Sequence, residues 1–436
     1  MSSQASVTNA PSNEARDPAY FGYYAMLQHQ QNMMQDNVRT STYRSAILLN
    51  TECFEDKLVM DVGAGMIKKK KKKKKKALCF AGAKKVYAIE ASDMAQKMKK
   101  LIRAASLPPG KSKNEFLKDK VEVIQAKIED PEVDAPKVDT IISEPIGVLL
   151  VHERMIESFI YARDKFLKPG GHLFPNKGTM YLAPFTDAGL FTETMGRARF
   201  WEQTTFHGVD LTPLYPDAKA ELFNQPVVGH FEPKSLLAVP TPGFDGFEFD
   251  FNTITMQSLR DFVVPISWTA QYTGLMHGVA GWFDLLFSGN PLSAASQPIE
   301  MSTAPHAEKT HWQQVRFMFR EPLAVNSGQA IRGWMHCVVN DMRSYTVDIE
   351  IIAGAQGELS DPSQPFEPLL EKQEKQQGYS TRTSTFVRRR GRWQLHEQAY
   401  NYTYQGPTND LVHPEHLCMY EPQNVEDAYG GITYTV

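Results

Sequence analysis

VDTIISEPIGVLLVHERMIES, residues 138–158, joins an apolar segment typical of a buried strand to a loop that carries two glutamates. Glu144 directly follows the strand pattern, and Glu153 stands nine residues later, where a helical pattern opens. Because parallel sheets bind ligands beyond the carboxyl ends of their strands, we expect both carboxylates to point to one place at that edge. The stretch predicts a strand, a loop and a helix with a paired acidic site.

Such a pair of carboxylates suits a planar cation. A guanidinium fits best, because its five N–H groups form a fork that matches carboxylate oxygens and its charge is essentially permanent. The pattern also has a plainer explanation, a solvated acid at a strand end and an acid near the positive end of a helix dipole. The spacing alone does not decide between the two.

Three earlier segments repeat the strand pattern and end in polar or acidic residues. They are KLVMDVG (57–63), KVYAIEAS (85–92) and VEVIQAKIED (121–130), and helical stretches separate them. This alternation predicts a parallel βαβ sheet with its ligand at the carboxyl edge. Residues 20–50, ahead of the sheet, are predicted to form one or two helices.

Residues that suit a nucleotide-like ligand stand at the ends of these strands: Asp61, Gly63, Gly65, Glu90, Ile128 and Glu129. Glycines at a strand-to-helix turn let a ligand approach the backbone, although a glycine pair alone is a weak signal. Glu90 can accept hydrogen bonds from both hydroxyls of a ribose, while Ile128 and Glu129 suit an apolar wall and an acceptor for the exocyclic amine of adenine. The ordered set predicts a ligand that contains adenine and ribose.

The pattern of apolar residues, Pro and Gly changes after residue 175. Short strand patterns with frequent Pro and Gly predict a second, β-rich domain, and residues 187–225 are more helical, with exposed aromatics that indicate an arm packing elsewhere. The predicted division is a disordered leader (1–17), N-terminal helices with the parallel sheet (18–175), the β-rich domain (176–371), and a flexible tail (372–436) that contains RRRGRW (388–393).

Composition places the chain among ordinary globular proteins, with 42% hydrophobic and 22% charged residues. No apolar run has the length of a membrane span and residues 1–17 lack a signal-peptide core, so we expect an intracellular protein without a membrane partner. The cysteines Cys53, Cys79, Cys337 and Cys418 lack paired spacing. They therefore predict neither a disulfide framework nor a metal site.

Charge is unevenly distributed along the chain. The formal net charge is −3, but nine of the 47 basic residues form the lysine run 68–76, which leaves −12 for the remainder. An acidic surface attracts basic partners and repels nucleic acid. A basic protein or peptide is therefore the predicted partner, and no direct nucleic-acid binding is expected.

Seven segments together carry a resemblance. They are YFGYY (20–24), QNMMQDNVRTSTY (31–43), YAIEAS (87–92), the run with both glutamates (143–158), FHGVDL (206–211), HGVAGWFD (277–284) and STAPHAEKTHWQQVRF (302–317). Over roughly residues 20–366 the chain resembles the type I protein arginine methyltransferase family, most closely its coactivator-associated, histone-arginine branch. The resemblance implies a Rossmann-like domain that binds S-adenosyl-L-methionine, a β-barrel, and an arm that joins two copies head to tail.

The resemblance also implies a reaction and its setting. Arginines in basic protein tails, such as those of histones and RNA-binding proteins, would become monomethylated and asymmetrically dimethylated. S-adenosyl-L-homocysteine would be the product of the donor, and no metal would take part. Chromatin and transcription regulation in the nucleus, together with a cytoplasmic pool, are the implied setting.

Residue roles follow from the resemblance by matching position. The donor site would contain Gln30, Arg39, Asp61, Gly63, Gly65, Glu90, Ile128, Glu129 and Ser158, under a lid with Tyr20, Phe21 and Tyr24. The acceptor site would contain Glu144 and Glu153 on the substrate arginine, Met33 beside the acceptor nitrogen, Trp312 near the substrate, and Asp36 with His311 as a supporting pair. Arg39 suits the carboxylate of the donor as a bidentate partner. Singly, such residues most often have structural roles, so only the joint pattern points to chemistry.

Several departures from the family pattern bear on these expectations. The family follows its glycine turn with an apolar helix, whereas the nine lysines at 68–76 cannot pack on a sheet without burying ammonium groups. The run is either an artefact of the sequence or a solvated insertion beside the donor site. Residues 108–116 resemble an extra loop, and Val148 stands where relatives often carry an aromatic residue. The short leader predicts no counterpart of the N-terminal domain of animal members.

Two alternatives remain beside the protein methyltransferase. One is a catalytically silent binding scaffold that keeps the barrel, the arm and the arginine pocket but has lost its donor site through the lysine run. The other is a small-molecule methyltransferase with the same donor fold. It is disfavoured, because two acidic pocket residues on an acidic protein suit a cationic peptide.

Overall fold

The structure is a computed structural model that describes residues 16–65, 81–106, 114–291, 293–354, 357–364 and 386–401. The described part begins with three helices, α1 (Asp17–Tyr24), α2 (Leu27–Gln35) and α3 (Asn37–Leu48). The expectation of one or two helices is wrong. Asp36 leaves helical geometry, and its side chain accepts a hydrogen bond from the Arg39 backbone N–H at 2.8 Å, which caps α3 and separates it from α2.

A five-stranded parallel sheet follows, as predicted. Its strands are β1 (Leu58–Val62), β2 (Lys85–Ile89), β3 (Val121–Ile124), β4 (Val138–Ser143) and β5 (Leu167–Phe174), in the order β3-β2-β1-β4-β5. Val62 pairs with both Ile89 and Ser143, so Gly63, Glu90 and Glu144 leave the sheet at the same edge. This register brings together Gly63 and Glu144, which are 81 positions apart in the sequence.

Two helices of the sheet domain lie among the described residues, α4 (Met94–Arg103) and α5 (Met155–Phe166). Helix α5 begins two residues after Glu153, which lies in the 3₁₀ turn His152–Arg154 and does not open the helix as expected. Strand β3 ends at Ile124, so Ile128 and Glu129 lie beyond it in a turn. The lysine run lies outside the described residues, as do Cys79, Cys418 and most of the predicted extra loop at 108–116.

The second domain is β-rich, and the predicted fold class is confirmed. Its elements are α6 (Ala188–Arg199), α7 (Tyr215–Phe223), α8 (Met256–Arg260), β6 (Lys177–Phe185), β7 (Val227–Gly229), β8 (Ala238–Pro240), β9 (Phe247–Asp250), β10 (Asp261–Ala270), β11 (Gly274–Asn290), β12 (Ser293–Ser302), β13 (Gln314–Val325), β14 (Ala330–Val339), β15 (Tyr345–Ala353), β16 (Val387–Gln394) and β17 (Ala399–Tyr400). They form two sheets of the barrel, β16-β15-β14-β10-β8 and β17-β7-β13-β11-β6-β9, with β12 paired to β11. One apolar core joins both domains, from Val59 in β1 to Val347 in β15.

The arm predicted within 187–225 is helical. Asp187 caps α6 by accepting a hydrogen bond from the Leu190 backbone N–H at 2.9 Å. Between α6 and α7 the arm exposes large apolar side chains: Phe200, Phe206, Val209 and Leu214. Exposed apolar groups at this density mark an interaction surface.

The flexible tail predicted from residue 372 is wrong for residues 386–401. RRRGRW lies in β16, which pairs with β15 over its whole length. Arg390 and Arg392 form ion pairs with Glu350 and Asp348 of β15, so each arginine meets a carboxylate on the neighbouring strand. Residues 365–385 and 402–436 lie outside the described residues.

The leader also ends earlier than predicted. Asp17, assigned to the disordered segment 1–17, is buried and begins α1. Residues 1–15 lie outside the described residues, and the remaining domain boundaries stay a prediction. Among the described residues, no helix is both long and apolar enough to cross a membrane.

Candidate functional site

The predicted glycine turn leaves β1 in left-handed backbone geometry. Gly63 has φ 70° and Gly65 has φ 49°, values that other residues adopt only with strain. The Gly65 N–H donates to Glu90 Oε2 at 3.0 Å, and the Ser92 N–H donates to Glu90 Oε1 at 2.8 Å. These two bonds hold the Glu90 carboxylate at the end of β2, and each oxygen can still accept another donor.

Gln30 of α2 lies directly against this turn. A Cβ added to Gly65 would stand 3.0 Å from Gln30 Oε1, and Gln30 Nε2 donates to the Tyr24 carbonyl at 3.0 Å. The side chain is buried. Helices α1 and α2 are thereby held at the glycine turn, over the carboxyl edge of the sheet.

Ser158 and Glu129 also meet at this edge. The Ser158 hydroxyl donates to Glu129 Oε1 at 2.6 Å, and Ile128 beside them is buried. Asp61 occupies a half-buried position in β1, on the strand that leads to the glycine turn. Two residues predicted for the donor site, Ser158 and Glu129, are thus in direct contact.

Glu144 differs from expectation, because its carboxylate already holds a guanidinium. Arg39 of α3 donates to Glu144 Oε1 through Nε and pairs with Oε2 through its second terminal nitrogen. The remaining terminal nitrogen donates to the Met33 carbonyl at 3.0 Å, so two of the five N–H groups are outside these bonds. Both side chains are largely buried, where a charge needs a partner.

Glu153 lies among tyrosine hydroxyls. Tyr20 and Tyr24 of α1 both donate to Glu153 Oε2, at 2.9 and 2.7 Å. Burial raises the pKa of Glu153 above its ordinary value, although the two tyrosines, Arg343 and His311 act to lower it. The pKa of Tyr24 is raised first by burial and then by Glu153, with a smaller contribution from Glu144, so both glutamates face this hydroxyl.

Asp36 and His311 form the supporting pair. His311 Nδ1 lies 2.7 Å from Asp36 Oδ2, which also accepts from the His311 backbone N–H at 2.9 Å. Burial alone would raise the pKa of Asp36, but the bonds from His311 and Arg39 outweigh it and lower the pKa. The buried Trp312 ring packs against His311 at a tilt of 38°, with the ring centroids 4.0 Å apart, so it supports the imidazole.

Backbone strain is concentrated in the loop that presents Glu153. Glu153 and Arg154 have φ 74° and φ 55°, and Leu149 and Leu150 also lie in the left-handed region. The buried Arg154 compensates by binding Glu157 at 2.5 and 3.1 Å. A strained loop held by an ion pair keeps the Glu153 carboxylate in one place.

Sequence reasoning missed four residues around α1: Asp17, His29, Lys127 and Arg343. Burial, then His311 and Arg39, lower the pKa of His29 to about 4, so this ring is neutral at physiological pH. Lys127 lies 5.9 Å from the Phe21 ring, and Phe21 packs on Tyr20 at 5.2 Å. Asp17 before the aromatic run was the one signal available, since a first-turn acid next to YFGYY can anchor that helix.

Metal binding has no candidate in this region. Across the parts of the chain that the structure describes, no cluster of three or more His, Cys, Asp or Glu side chains could hold an ion. Cys53 and Cys337 are buried, and burial raises the pKa of the Cys53 thiol to about 11.

The fold and the geometry of the site can be compared with those of known proteins. The parallel sheet carries a glycine turn, the Glu90 carboxylate and the partly buried Glu144 at its carboxyl edge, Glu153 lies in the loop that follows Glu144, and a β-rich domain comes next in the chain. Residues 176–356 match the family model described as the arginine methyltransferase oligomerization subdomain. The probable histone-arginine methyltransferase 1.3 of Arabidopsis thaliana is 41% identical over 338 residues, which are 78% of this chain and 59% of that protein.

Two solved structures share the fold. Protein arginine methyltransferase 10 of Arabidopsis thaliana, described in a uniquely open conformation, has a TM-score of 0.68 and 27% identity, over 86% of this chain and 100% of that one. The Trypanosoma brucei PRMT1 enzyme–prozyme complex with AdoHcy has a TM-score of 0.61 and 26% identity, over 77% and 95%. The chain is therefore similar to protein arginine methyltransferases in sequence over 78% of its length and in fold over 86%. It spans about 59% of the length of the curated relative above.

Proposed function

We propose that this chain is a type I protein arginine N-methyltransferase that uses S-adenosyl-L-methionine and makes monomethyl and asymmetric dimethyl arginine. One observation carries the proposal. The glycine turn, Glu90 and the partly buried Glu144 follow strands that end at one edge of one sheet, and the partly buried Glu153 lies in the loop that leaves this edge after Glu144. A donor of the adenosine type and a guanidinium acceptor can meet there.

The residues present fit the donor. Gly63 and Gly65 offer an open backbone turn, Glu90 retains acceptor capacity for ribose hydroxyls, and Ile128 offers an apolar wall. Arg39 keeps two N–H groups for a carboxylate after binding Glu144. When bound, S-adenosyl-L-methionine supplies a sulfonium methyl group that is already activated. Among the relatives, the T. brucei complex contains the demethylated form of this donor.

Positioning is the main task left to the protein. Glu144 and Glu153 would bind the substrate guanidinium and draw its charge toward the bound nitrogens, leaving lone-pair character on the third. Tyr20 and Tyr24 orient Glu153 and exclude water from it. Glu144 must share its carboxylate with Arg39, so entry of the substrate would require this ion pair to adjust.

Proton release also has a candidate acceptor. Burial raises the pKa of Glu153, which makes its carboxylate a better base than an exposed glutamate. The Asp36 and His311 pair lies close enough to influence Glu153 and offers a second route for the proton. We assign Glu153 as the group that first accepts the proton, because it contacts the substrate guanidinium in the proposed arrangement.

Basic protein tails are the proposed substrates. The chain carries −12 apart from its lysine run, and a cationic peptide is attracted to such a surface. The Arabidopsis relative is named as a histone-arginine methyltransferase, so histones in the nucleus are the leading candidates, with RNA-binding proteins beside them. The predicted cytoplasmic pool stays a prediction.

Assembly through the arm is the proposed quaternary structure. The matched family segment is described as an oligomerization subdomain, and the arm exposes Phe200, Phe206, Val209 and Leu214. Self-complementary contacts of this kind usually close into symmetric dimers. We therefore propose a homodimer in which each arm contacts the partner copy.

The test is methyl transfer to a matched pair of peptides. The purified chain is mixed with S-adenosyl-L-methionine and a basic peptide that contains either one arginine or a lysine at the same position. We expect added methyl groups on the arginine peptide alone, with fragmentation spectra of asymmetric dimethylation. Methylation of lysine, or symmetric dimethylation, would contradict the proposal.

The silent-scaffold alternative depends on the lysine run, which lies outside the described residues. Its test compares this chain with a variant in which residues 66–80 are replaced by a shorter, glycine-led apolar helix. If the run harms the donor site, S-adenosylhomocysteine binds the chain weakly and with salt dependence, because salt screens the field of the lysines. Tighter, salt-independent binding in the variant is the expected result. Equal affinities would show that the run is a harmless insertion.

A further inference from the structure

The turn between β14 and β15, residues 340–344, contacts the Glu153 loop on both sides of the glutamate. Arg154 donates from a terminal nitrogen to the Asn340 carbonyl at 3.0 Å. His152 Nδ1 lies 2.9 Å from the Ser344 hydroxyl. A barrel turn thus supports the strained loop that presents Glu153, although the two segments are far apart in sequence.

The same turn holds helix α1 through Arg343. The buried Arg343 donates to Asp17, the first residue of the helix, and its guanidinium carbon lies 4.2 Å from the Tyr20 ring centroid. A planar guanidinium stacked on an aromatic face adds a cation–π attraction to the ion pair. Arg343 itself is in left-handed geometry, with φ 52°. One side chain of the barrel therefore fixes both the start and the aromatic face of α1.

Helix α1 closes this chain of contacts at Glu153. Tyr20, stacked on Arg343, and Tyr24 both donate to the same oxygen of Glu153. The groups that face the Glu153 carboxylate are the two tyrosines from α1, Arg343 from the turn, and His311 from the loop before β13. Arg343 is the one permanent cation among these four groups.

Asp17 links the arrangement to the donor side as well. Its second oxygen accepts from Lys127, the neighbour of Ile128 and Glu129. Lys127 is partly exposed, whereas Arg343 is buried. Because a buried ion pair is costly to break, the Asp17 and Arg343 contact is the firm part of this link.

We propose that Arg343 is a positioning residue for methyl transfer, which clamps helix α1 to the barrel so that Tyr20 and Tyr24 hold Glu153 against the acceptor. The inference rests on the proposed function of Glu153. It extends that function to a residue on the second domain, and it requires arginine at position 343, since lysine has the charge but not the planar fork.

The experiment compares Arg343→Gln, Arg343→Lys and Asp17→Asn with a matched control, Lys177→Gln, which removes the cation of the exposed pair with Glu248. We expect kcat/KM for the arginine peptide to fall about 10- to 100-fold in all three clamp variants, because a displaced Glu153 misplaces the acceptor. Lys177→Gln should match the wild type.

The pH profile separates positioning from general structure. In Arg343→Gln the acidic limb of kcat/KM should move to higher pH, because the cation that opposes protonation of Glu153 is gone. In Arg343→Lys and Asp17→Asn the cation remains, so the limb should not move upward although the rate falls. A rate loss with the same limb in all variants would overturn the proposal, as would wild-type kinetics in Arg343→Gln.

Hydrogen exchange of residues 17–24 supplies a readout that does not need activity. Exchange should rise in Arg343→Gln and Asp17→Asn, less in Arg343→Lys, and not in Lys177→Gln. If the wild type transfers no methyl group, the proposed function fails, and unchanged exchange would then overturn the clamp separately. If Arg343→Gln does not fold, Arg343→Lys and Asp17→Asn decide by rate and exchange together.

Discussion

Glu144 and Glu153 lie nine residues apart but have different environments. Glu144 is neutralised by a guanidinium, whereas the partly buried Glu153 accepts hydrogen bonds from two tyrosine hydroxyls. Two carboxylates in unlike surroundings can take unlike roles, one as an anchor for charge and one as a base. At the scale of the residue, the site is asymmetric.

Substitution of either glutamate tests these roles. We expect Glu144→Gln or Glu153→Gln to lower kcat/KM by roughly 10²- to 10⁴-fold, because each removes a charge-assisted contact or a base from the transition state. Affinity for S-adenosylhomocysteine, measured by calorimetry, should change little, since the proposed role of both groups is to bind the acceptor arginine. The exposed Glu248→Gln is the control. Wild-type turnover in either active-site variant would remove that glutamate from catalysis.

Stability of Glu153→Gln should depend on pH. The folded-state pKa of Glu153 is raised by burial, so the stability associated with its protonated form is present at low pH and lost as the pH rises through that pKa. Glutamine has no such loss and can still accept from the tyrosines. We therefore expect the melting temperature of the variant to exceed that of the wild type at about pH 8 and to match it near pH 4. A larger advantage at the lower pH would show that burial is not the dominant cause.

At the scale of the element, β16 shows how a basic sequence becomes a barrel strand. Arg390 and Arg392 form ion pairs with carboxylates of β15. Trp393, also in β16, is buried, and its ring N–H donates to the Phe223 carbonyl at 2.7 Å. That bond joins β16 to helix α7 of the arm. The strand therefore connects the barrel edge with the base of the arm.

Truncation of this anchor should weaken the barrel. Trp393→Ala removes a fully buried ring and should lower the free energy of unfolding by about 3–5 kcal/mol. Tyr400→Ala, at a half-exposed position in β17, should cost less than about 0.5 kcal/mol. Urea midpoints measure both. Equal midpoints for the two variants would mean that β16 is not integral to the barrel.

At the scale of the whole molecule, the arm should govern assembly. Deletion of residues 197–213 removes Phe200, Phe206 and Val209, and we expect a monomer with weaker S-adenosylhomocysteine binding and lower activity. Sedimentation measures the mass, and Tyr272→Ser, at an exposed barrel position outside the arm, should leave it unchanged. A fully active monomer, or an unchanged mass after the deletion, would show that the arm does not hold the dimer.

The sequence alone was sufficient to predict the parallel sheet and the residues at its carboxyl edge. Apolar periodicity is local, and parallel topology brings strand ends together whatever lies between them, so Gly63, Glu90 and Glu144 could be placed without coordinates. The helical arm and the β-rich second domain were also predicted, because helix and strand patterns are local in the sequence. Element boundaries were predicted less well. Strand β3 ends earlier than predicted because a turn follows it, and the leader ends earlier because the buried Asp17 pairs with Arg343 and begins α1.

The ion-pair partners of the charged side chains became known only from the three-dimensional structure. Arg39 binds Glu144 across 105 residues, and Arg343 binds Asp17 across 326. RRRGRW was predicted to lie in a flexible tail, because the carboxylates that bind its arginines, Asp348 and Glu350, are on another strand. The sequence does not show which carboxylate a given cation will pair with. A buried cation needs a carboxylate beside it, and only the fold places one there.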